Sequence, residues 1–298
     1  MRLDEFDPNS IDVEDQRGSG GGGRGFPLPI GGGKLGCGTL LIVIVAALVF
    51  KVDPTQLLSG MQGGGGGTME LPGQAPAQSG GSAAESCAVN AESRESCNAL
   101  SSLNKTWAGI FSAANAQFSR PKLVFYAQSG SSGCGAAQSA MGPFYCPTDN
   151  GIYLDTDFYR QMDQELGATG QFARDYVIAH EYGHHVQNLT GISDQVRTMQ
   201  QRNPGSANQL SVRLELQADC YAGVWAAKNK DRLDPGDMES GLNAAHQIGD
   251  DTLMKSAGRS PQEASFTHGS SAQRMQWLRK GLESGNEDAC DTFTDLRR

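Results

Sequence analysis

Glycine and histidine are distributed very unevenly along this chain. About half of the 39 glycines fall within the first 85 residues, whereas all five histidines lie between His180 and His268. A glycine-rich segment loses much conformational entropy on folding and buries little apolar surface. Residues 1–34, which include the run GSGGGGRG, are therefore predicted to form a disordered tail. A folded domain is expected only in the later part of the chain.

Residues 35–50 (LGCGTLLIVIVAALVF) form the one continuous apolar run of the sequence. As a helix they would span roughly 24 Å, slightly less than the ~30 Å hydrocarbon core of a membrane. The flanking Lys34 and Lys51 extend the effective span, and no small-residue cleavage site follows directly. We therefore predict one uncleaved transmembrane helix over residues 35–51. A buried core helix and a cleaved signal segment are the alternatives.

The basic residues around the apolar run predict its orientation. Arg17, Arg24 and Lys34 precede the run, whereas only Lys51 follows it closely. The positive-inside rule then predicts an N-terminus in the cytoplasm and a large C-terminal part outside, in a periplasmic or other extracytoplasmic space. Residues 52–85 are rich in Gly, Pro, Gln and Ser and predict a flexible linker. The folded domain is accordingly expected over residues 86–298.

Six of the seven cysteines lie in this predicted outer domain, and the seventh, Cys37, lies in the apolar run. An even set is typical of disulfide-bonded proteins in oxidising compartments, and no CxxC motif indicates a zinc knuckle or a redox site. Proximity favours two short-range pairs and leaves the last two cysteines for each other, with buried free thiols as the alternative. The favoured pairs are Cys87–Cys97, Cys134–Cys146 and Cys220–Cys290.

The sequence of the outer domain predicts an α+β fold that is mostly helical with a small sheet. Helical periodicity and start signals predict helices over residues 93–113, 171–189, 206–228, 237–248 and 271–281. Short apolar runs beside turn residues predict strands at residues 122–127, 143–146 and 152–155. Small polar residues predict a loop over residues 129–142.

Residues 180–184 read His-Glu-Tyr-Gly-His, the HExxH pattern, within a predicted helix. His180 and His184 are four positions apart and share one helix face, where two imidazoles can bind one Zn²⁺. Glu181 is placed to take a proton from an activated water without ligating the metal, so it is the candidate general base. The alternative is a polar helix face with two surface histidines. His185 lies about 140° around the helix from His180 and is predicted to be structural.

A catalytic zinc needs a third protein ligand, and the next long predicted helix offers two carboxylates on one face. We predict that Glu215 completes a His₂Glu set and that Asp219 accepts the remaining ring N–H of His180. One alternative is an exposed acidic helix face. The other is a different third ligand, for which His246, His268 and Asp219 itself are the candidates.

These motifs resemble those of one bacterial protein family. HEYGHHVQ followed by ELQADCYAG resembles the gluzincin pattern, and the order of segments resembles the bacterial neutral zinc metallopeptidases. Further similar segments are GPFYCPTDNGIYLD, YVIAHEYGHHVQ, QIGDD and FTHGSSAQR. The resemblance covers nearly the whole chain. It implies a zincin-like domain, one zinc ion per chain and a peptidase anchored in the cytoplasmic membrane.

The resemblance, together with chemistry, adds expectations about a substrate cleft. The strand at residues 152–155 is expected to be the edge strand beside the cleft, where an extended peptide can pair through its backbone. His268 is a candidate to stabilise the oxyanion of the tetrahedral intermediate, with a structural histidine as the alternative. Asp250 and Asp251 are expected to cap a helix, and His246 is expected to be structural.

The leading functional hypothesis is a membrane-anchored zinc metallopeptidase that hydrolyses peptide bonds, with Glu181 as the base. The alternatives are a membrane-tethered scaffold with a structural zinc and a zinc amidase acting on an envelope substrate. The net charge of -9, without a patch rich in Lys and Arg, argues against nucleic-acid binding. The expected partners are a peptide or protein substrate and the cytoplasmic membrane.

Overall fold

The computed structural model describes residues 1–18 and 81–294. The predicted transmembrane helix at residues 35–51 lies outside these ranges, as do the end of the predicted tail and the linker up to residue 80. Among the described residues, no helix is both long enough and apolar enough to cross a membrane. The membrane span and its orientation therefore stay predictions.

The described chain is mostly helical with two small sheets, which confirms the α+β class. Its strands are β1 (Asp12–Asp15), β2 (Lys122–Tyr126), β3 (Ser129–Ser132), β4 (Gly135–Gln138), β5 (Phe144–Cys146) and β6 (Gly151–Asp155). Its helices are α1 (Ala83–Cys87), α2 (Ala91–Ala113), α3 (Asp157–Gln164), α4 (Gln171–Leu189), α5 (Ile192–Arg202), α6 (Ala207–Lys228), α7 (Asp237–Gln247), α8 (Asp250–Ser256) and α9 (Ser271–Ser284). Short 3₁₀ turns lie at Ser139–Met141, Pro204–Ser206, Lys230–Arg232, Glu263–Ser265 and Glu287–Cys290.

The long helices lie where the periodicity predicts them, and α4 has the predicted bounds. Four helices, α1, α3, α5 and α8, are not predicted. In α5 the reason is that Val196 is the one fully buried residue of the helix, which is too few to produce a periodic pattern. The segment expected to be a loop contains the antiparallel hairpin β3–β4, whose glycines and serines hide the alternation of a strand.

The larger sheet has the strand order β1-β2-β6-β5. Strands β1, β2 and β6 are parallel, and β5 runs antiparallel to β6. The expectation that residues 152–155 form the edge strand is wrong. All five residues of β6 are buried, and β6 pairs with a strand on each side. The edge strands of this sheet are β1 and β5, and β5 precedes β6 along the chain.

Residues 1–18 are part of the folded domain, so the predicted disorder is wrong for this segment. Strand β1 pairs with β2 in the register Asp12↔Lys122 to Asp15↔Phe125. Ile11, just before the strand, is 3% exposed and belongs to the main core. The pairing partners lie more than 100 positions further along the chain, where a local sequence pattern cannot indicate them. Regular structure also begins before residue 86, because Ser82 caps α1.

Glycines allow the central helices to pack closely. A Cβ atom at Gly183 of α4 would lie 2.8 Å from the Cα atom of Ala218 in α6. A Cβ atom at Gly281 of α9 would lie 2.0 Å from the carbonyl oxygen of Cys220 in α6. Neither position tolerates a larger residue, because protein interiors leave no room at such distances. Helix α6 is thereby held tightly between α4 and α9.

The three favoured disulfide pairs are confirmed. Cys87–Cys97 joins α1 to α2, and Cys220–Cys290 joins α6 to the last 3₁₀ turn. Cys134–Cys146 ties the turn between β3 and β4 to the edge strand β5. Disulfide bonds of this kind are typical of proteins in oxidising compartments.

Candidate metal centre

His180, His184 and Glu215 converge at the contact between α4 and α6. The Nε2 atom of His180 lies 3.1 Å from one carboxylate oxygen of Glu215, and the Nε2 atom of His184 lies 3.5 Å from the other. One ligand atom from each of the three residues lies within 4.8 Å of the other two. Two imidazole nitrogens and one carboxylate form the donor set of catalytic His₂Glu zinc sites. The residues therefore fit zinc.

The local sequence explains why these side chains meet. His180 and His184 are one helical turn apart on α4 and face α6 across the close contact at Gly183. A side chain at position 183 would push the two helices apart and move Glu215 away from both histidines. The glycine inside the HExxH motif thus sets the helix separation that the donor set requires.

Behind His180 lies a buried polar network centred on Asp219. The Nδ1 atom of His180 lies 2.8 Å from Oδ1 of Asp219, as the sequence predicts for the residue that orients this ring. The hydroxyl of Tyr176 donates to the same oxygen at 2.6 Å. Arg274 donates to both carboxylate oxygens at 2.9 Å. Asp219 is fully buried, and these donors compensate for its lost hydration.

Burial disfavours the charged forms of both Asp219 and His180, but their surroundings outweigh it. Arg274 and His180 lower the pKa of Asp219 to about 2. Asp219, together with Glu215, raises the pKa of His180 to about 10. Glu215 is partly buried, with 17% of its side chain exposed, and the two histidines hold its pKa well below the usual range. Protons and zinc therefore compete for the same imidazole nitrogens.

His184 has a different partner for its second ring nitrogen. Its Nδ1 atom lies 2.9 Å from Oε1 of Gln187, three residues further along α4. Gln187 is fully buried, and its amide nitrogen donates to the carbonyl oxygen of Leu214 and to Oε1 of Gln217 on α6. The orientation of His184 is thus held by an amide that also links α4 to α6.

Glu181 is buried on α4 beside the donor set, with 8% of its surface exposed, and lines the same cleft. Burial raises the pKa of Glu181, and the two neighbouring histidines oppose that rise. A carboxylate in such a place is suited to accept a proton and pass it on.

His268 lies on the rim of the cleft and is held by Asp250. One carboxylate oxygen of Asp250 accepts the backbone N–H groups of Thr267 and His268 at 2.8 Å and that of Gly269 at 3.1 Å. The other lies 3.2 Å from Nδ1 of His268. Asp250 therefore fixes the loop of His268 instead of capping its own helix. Asp251 accepts the backbone N–H of Ser271 in the first turn of α9.

The other two histidines do not join the donor set. His185 is fully buried, with Nε2 2.8 Å from the carbonyl oxygen of Ser119 and Nδ1 3.0 Å from the hydroxyl of Tyr145. His246 is exposed on α7. The burial and contacts of His185 agree with its predicted structural role, whereas the exposure of His246 gives its own predicted role no support. Within the described ranges, the metal-binding cluster consists of His180, His184 and Glu215.

A cleft of about 500 Å³ opens in front of the donor set. The edge strand β5 borders it, with Phe144 and Tyr145 among the lining residues. Much of the remaining lining is apolar and includes Met141, Phe158, Leu166, Val177 and Leu253. The cleft thus combines a metal-binding cluster, an edge strand and an apolar wall.

Two residues of the buried network, Tyr176 and Arg274, are not predicted from the sequence. Both belong to segments that carry the family resemblance, yet nothing in their spacing distinguishes them from ordinary helix residues. Tyr176 lies one turn before His180 on α4, on the same face. Arg274 lies on α9, and its contact with Asp219 depends on the packing of α9 against α6.

Comparisons with known proteins agree with this geometry. Residues 4–293 match the sequence profile of the family described as "Putative neutral zinc metallopeptidase". "Uncharacterized protein YpfJ" of Escherichia coli K12 is 43% identical over 291 residues, covering 95% of this chain and 96% of the relative. "Uncharacterized protein Rv2575" of Mycobacterium tuberculosis H37Rv is 40% identical over 190 residues, covering 59% and 64%. No solved structure gives a significant match. The chain therefore belongs to the neutral zinc metallopeptidase family.

Proposed function

We propose that this protein is a zinc-dependent peptidase that hydrolyses peptide bonds outside the cytoplasm. The observation that carries the proposal is the convergence of His180, His184 and Glu215 next to Glu181 in an open cleft. A structural zinc site has no use for a buried carboxylate beside it, whereas a hydrolytic site needs a base there. The disulfides support an oxidising location.

Each residue of the cleft has a definite part in this reaction. The Nε2 atoms of His180 and His184 and the carboxylate of Glu215 would hold the zinc ion. Zinc bound by such a set supplies Lewis-acid activation of a substrate carbonyl and of a water molecule. The carboxylate of Glu181 accepts the proton of the attacking water and delivers it to the nitrogen of the leaving amine. His268, held by Asp250, donates to the oxygen that becomes negatively charged.

Substrate binding is assigned to the edge strand and the apolar wall. Within the described ranges β5 pairs only with β6, so its other edge is available to an extended peptide. Backbone pairing of that kind holds a peptide without reading its side chains. Selectivity would come from the wall formed by residues such as Met141, Phe158 and Leu253, which favours apolar side chains next to the cleaved bond.

The test is the Glu181→Gln substitution, which preserves size but removes the basic oxygen. We expect the rate of peptide hydrolysis to fall by at least about 100-fold, the usual contribution of a general base. Zinc content should stay at one ion per chain. Glu283→Gln, at an exposed position of α9, is the matched control and should leave both quantities unchanged. Full activity of the zinc-loaded Glu181→Gln variant would overturn the role of Glu181.

The choice of substrate separates the peptidase from the amidase alternative. A mixed peptide library and an extract of the cell envelope are each incubated with the protein, with and without a chelator. Chelator-sensitive cleavage of peptides with apolar residues at the cleaved bond supports the proposal. Cleavage confined to envelope amides would assign the same chemistry to a different substrate. No cleavage of either, with zinc firmly bound, would favour the scaffold alternative.

A further inference from the structure

We propose that Arg274 is a positioning residue that fixes the orientation of the zinc ligand His180 by acting through Asp219. The proposal rests on zinc binding at the donor set described above, but not on the nature of the substrate. Arg274 is 3% exposed and lies in the first turns of α9. Its guanidinium donates two hydrogen bonds to Asp219 and a third, at 3.2 Å, to the hydroxyl oxygen of Tyr176.

The geometry of these bonds determines where the Asp219 carboxylate points. A guanidinium is planar and its N–H groups form a rigid fork, so a two-bond contact fixes the plane of the carboxylate as well as its position. The oxygen that receives Nη2 of Arg274 is the same Oδ1 that faces Nδ1 of His180. The hydrogen-bond partner of a ligating imidazole sets the direction of the ring and its tautomer. Arg274 therefore orients His180 through Asp219, and its Nη2 atom also lies 3.3 Å from Nδ1 of His180 itself.

Arg274 also balances part of the negative charge around the donor set. Asp219, Glu215 and Glu181 place three carboxylates around the donor set. A zinc ion would contribute two positive charges, and Arg274 contributes the third. Zinc binds a neutral imidazole, so in the zinc-bound protein the buried Asp219 carboxylate would lack an adjacent cationic side chain without Arg274, and an unpaired buried charge is strongly unfavourable.

The packing of α9 against α6 places Arg274 beside Asp219. A Cβ atom at Gly223 of α6 would lie 2.2 Å from the carbonyl oxygen of Leu278, so α9 approaches α6 at this glycine as well as at Gly281. The start of α9 is fixed by a capping box between Ser270 and Gln273, directly before Arg274. The glycines between α6 and α9 and the capping box at the start of α9 thus together position Arg274.

Zinc affinity, measured on the purified protein without substrate, tests this proposal. We expect Arg274→Met to weaken zinc binding by about 10–100-fold, the usual effect of removing a partner of a ligating histidine. Arg274→Lys keeps the charge but loses the fork, so its loss should be smaller. Arg279→Met, at an exposed position of the same helix, is the matched control and should bind zinc normally. In nitrogen NMR spectra, the Nδ1–H signal of His180 should shift in the Arg274 variants and stay unchanged in Arg279→Met.

A folded Arg274→Met variant with wild-type zinc affinity and an unchanged His180 spectrum would overturn the proposal. If that variant does not fold, Arg274→Lys decides, since wild-type affinity and spectrum there would equally overturn it. Zinc affinity does not depend on catalysis. A protein that binds zinc normally but cleaves no peptide would therefore contradict the proposed function and leave this proposal standing.

A separate observation concerns the compartment of residues 1–18. We infer that residues 1–18 and 81–294 lie on the same side of any membrane that the protein meets. Three kinds of contact hold the N-terminal segment in the domain. Strand β1 pairs with β2, the amide of Asn104 donates to the carbonyl oxygen of Ser10 at 3.0 Å, and Arg17 lies 4.4 Å from the ring centre of Phe125.

These contacts cannot form across a bilayer. The strand pairing needs direct backbone contact, and Arg17 also donates to the carbonyl oxygen of Ser86 in α1. The hydrocarbon core separates the two aqueous sides by about 30 Å. The charge bias around residues 35–50 predicts opposite sides for the two parts, so that prediction and this packing exclude each other. If two copies of the protein exchanged their N-terminal segments, residues 1–18 of one copy and residues 81–294 of the other would also have to lie in one compartment.

Cysteine labelling in intact cells tests this inference. Glu5→Cys and Asp194→Cys place one thiol in each part, at side chains that are 64% and 71% exposed. Both are made in the full chain with Cys37→Ser, and that parent is the control for background labelling. Cells are treated with a membrane-impermeant maleimide before and after permeabilisation. Labelling of both cysteines in intact cells, or of neither until permeabilisation, supports a shared compartment. Labelling of one cysteine alone in intact cells would overturn it.

Discussion

The metal centre and the N-terminal segment are held in the same domain by different kinds of contact. The metal centre is a buried polar network, in which Asp219, Arg274 and Tyr176 surround one side of His180. Residues 1–18 are held by strand pairing, by burial of Ile11 and by exposed ion pairs such as Arg232 with Asp4. The first arrangement surrounds the candidate metal ligands, and the second adds a strand to the sheet. Changes in the two regions should therefore separate zinc binding from stability.

The largest effect is expected from His184→Ala, which removes one of three donors. Zinc affinity should fall by well over about 100-fold, beyond the loss caused by altering a partner of a ligand. Peptide hydrolysis should be lost with the metal, while the Tm of the zinc-free protein should change little. Zinc titration and thermal unfolding measure the two quantities. His246→Ala, at the exposed histidine of α7, is the matched control, and normal zinc binding by His184→Ala would contradict the assignment.

A smaller effect on activity alone is expected from His268→Ala. Loss of one donor to the developing oxyanion typically lowers kcat by about 10²–10³-fold. Zinc affinity should be unchanged, because His268 lies outside the donor set. Steady-state kinetics beside a zinc titration make the measurement. A fall in zinc affinity that matches the fall in kcat would show that His268 acts on the metal site instead.

Ile11→Ala should affect stability and leave zinc binding intact. Truncation of a fully buried isoleucine costs about 2–4 kcal/mol, because it removes apolar contacts and leaves a cavity. Denaturant unfolding measures the free energy of unfolding, and a zinc titration should give the wild-type affinity. Val89→Ala, at a valine that is 61% exposed, is the control and should change stability by less than about 0.5 kcal/mol. Equal stabilities of the two variants would mean that residues 1–18 do not pack as described.

Arg17→Met tests the end of the N-terminal segment and should have the smallest effect. The substitution removes the contact with the Phe125 ring and the hydrogen bonds to Asp15 and Ser86. We expect a loss of about 1–2 kcal/mol in the free energy of unfolding. The comparison is Arg160→Met, whose exposed ion pair with Asp157 should contribute less than about 0.5 kcal/mol. A loss no larger than that of Arg160→Met would contradict the stacked arrangement.

The sequence predicts those parts of the site that depend on one helix at a time. The spacing of His180 and His184 is local to α4, and that of Glu215 and Asp219 is local to α6, so helical periodicity is sufficient. The partnership of Arg274 with Asp219 depends on how α9 packs, which periodicity does not contain.

The sheet shows the same division between local and long-range information. Alternation and apolar content locate β5 and β6 but do not distinguish an interior strand from an edge strand, so they predict the wrong position for residues 152–155 in the sheet. Strand β1 has four residues and no fully buried side chain, so it lacks a strand signal of its own. Its place becomes visible only once β2 is available as a partner.

The contact of Tyr145 with α4 has a consequence for where a bound peptide would be cleaved. The hydroxyl of Tyr145, on the edge strand, meets Nδ1 of His185 and the side-chain amide of Asn188 at 3.0 and 3.1 Å. Both partners belong to the helix that carries His180 and His184, so the edge strand is linked by side-chain hydrogen bonds to the helix of the candidate metal ligands. A peptide paired with β5 would therefore be held at a fixed position relative to the donor set. The point of cleavage would then be fixed by distance along the backbone, and side chains would decide only which peptides are accepted.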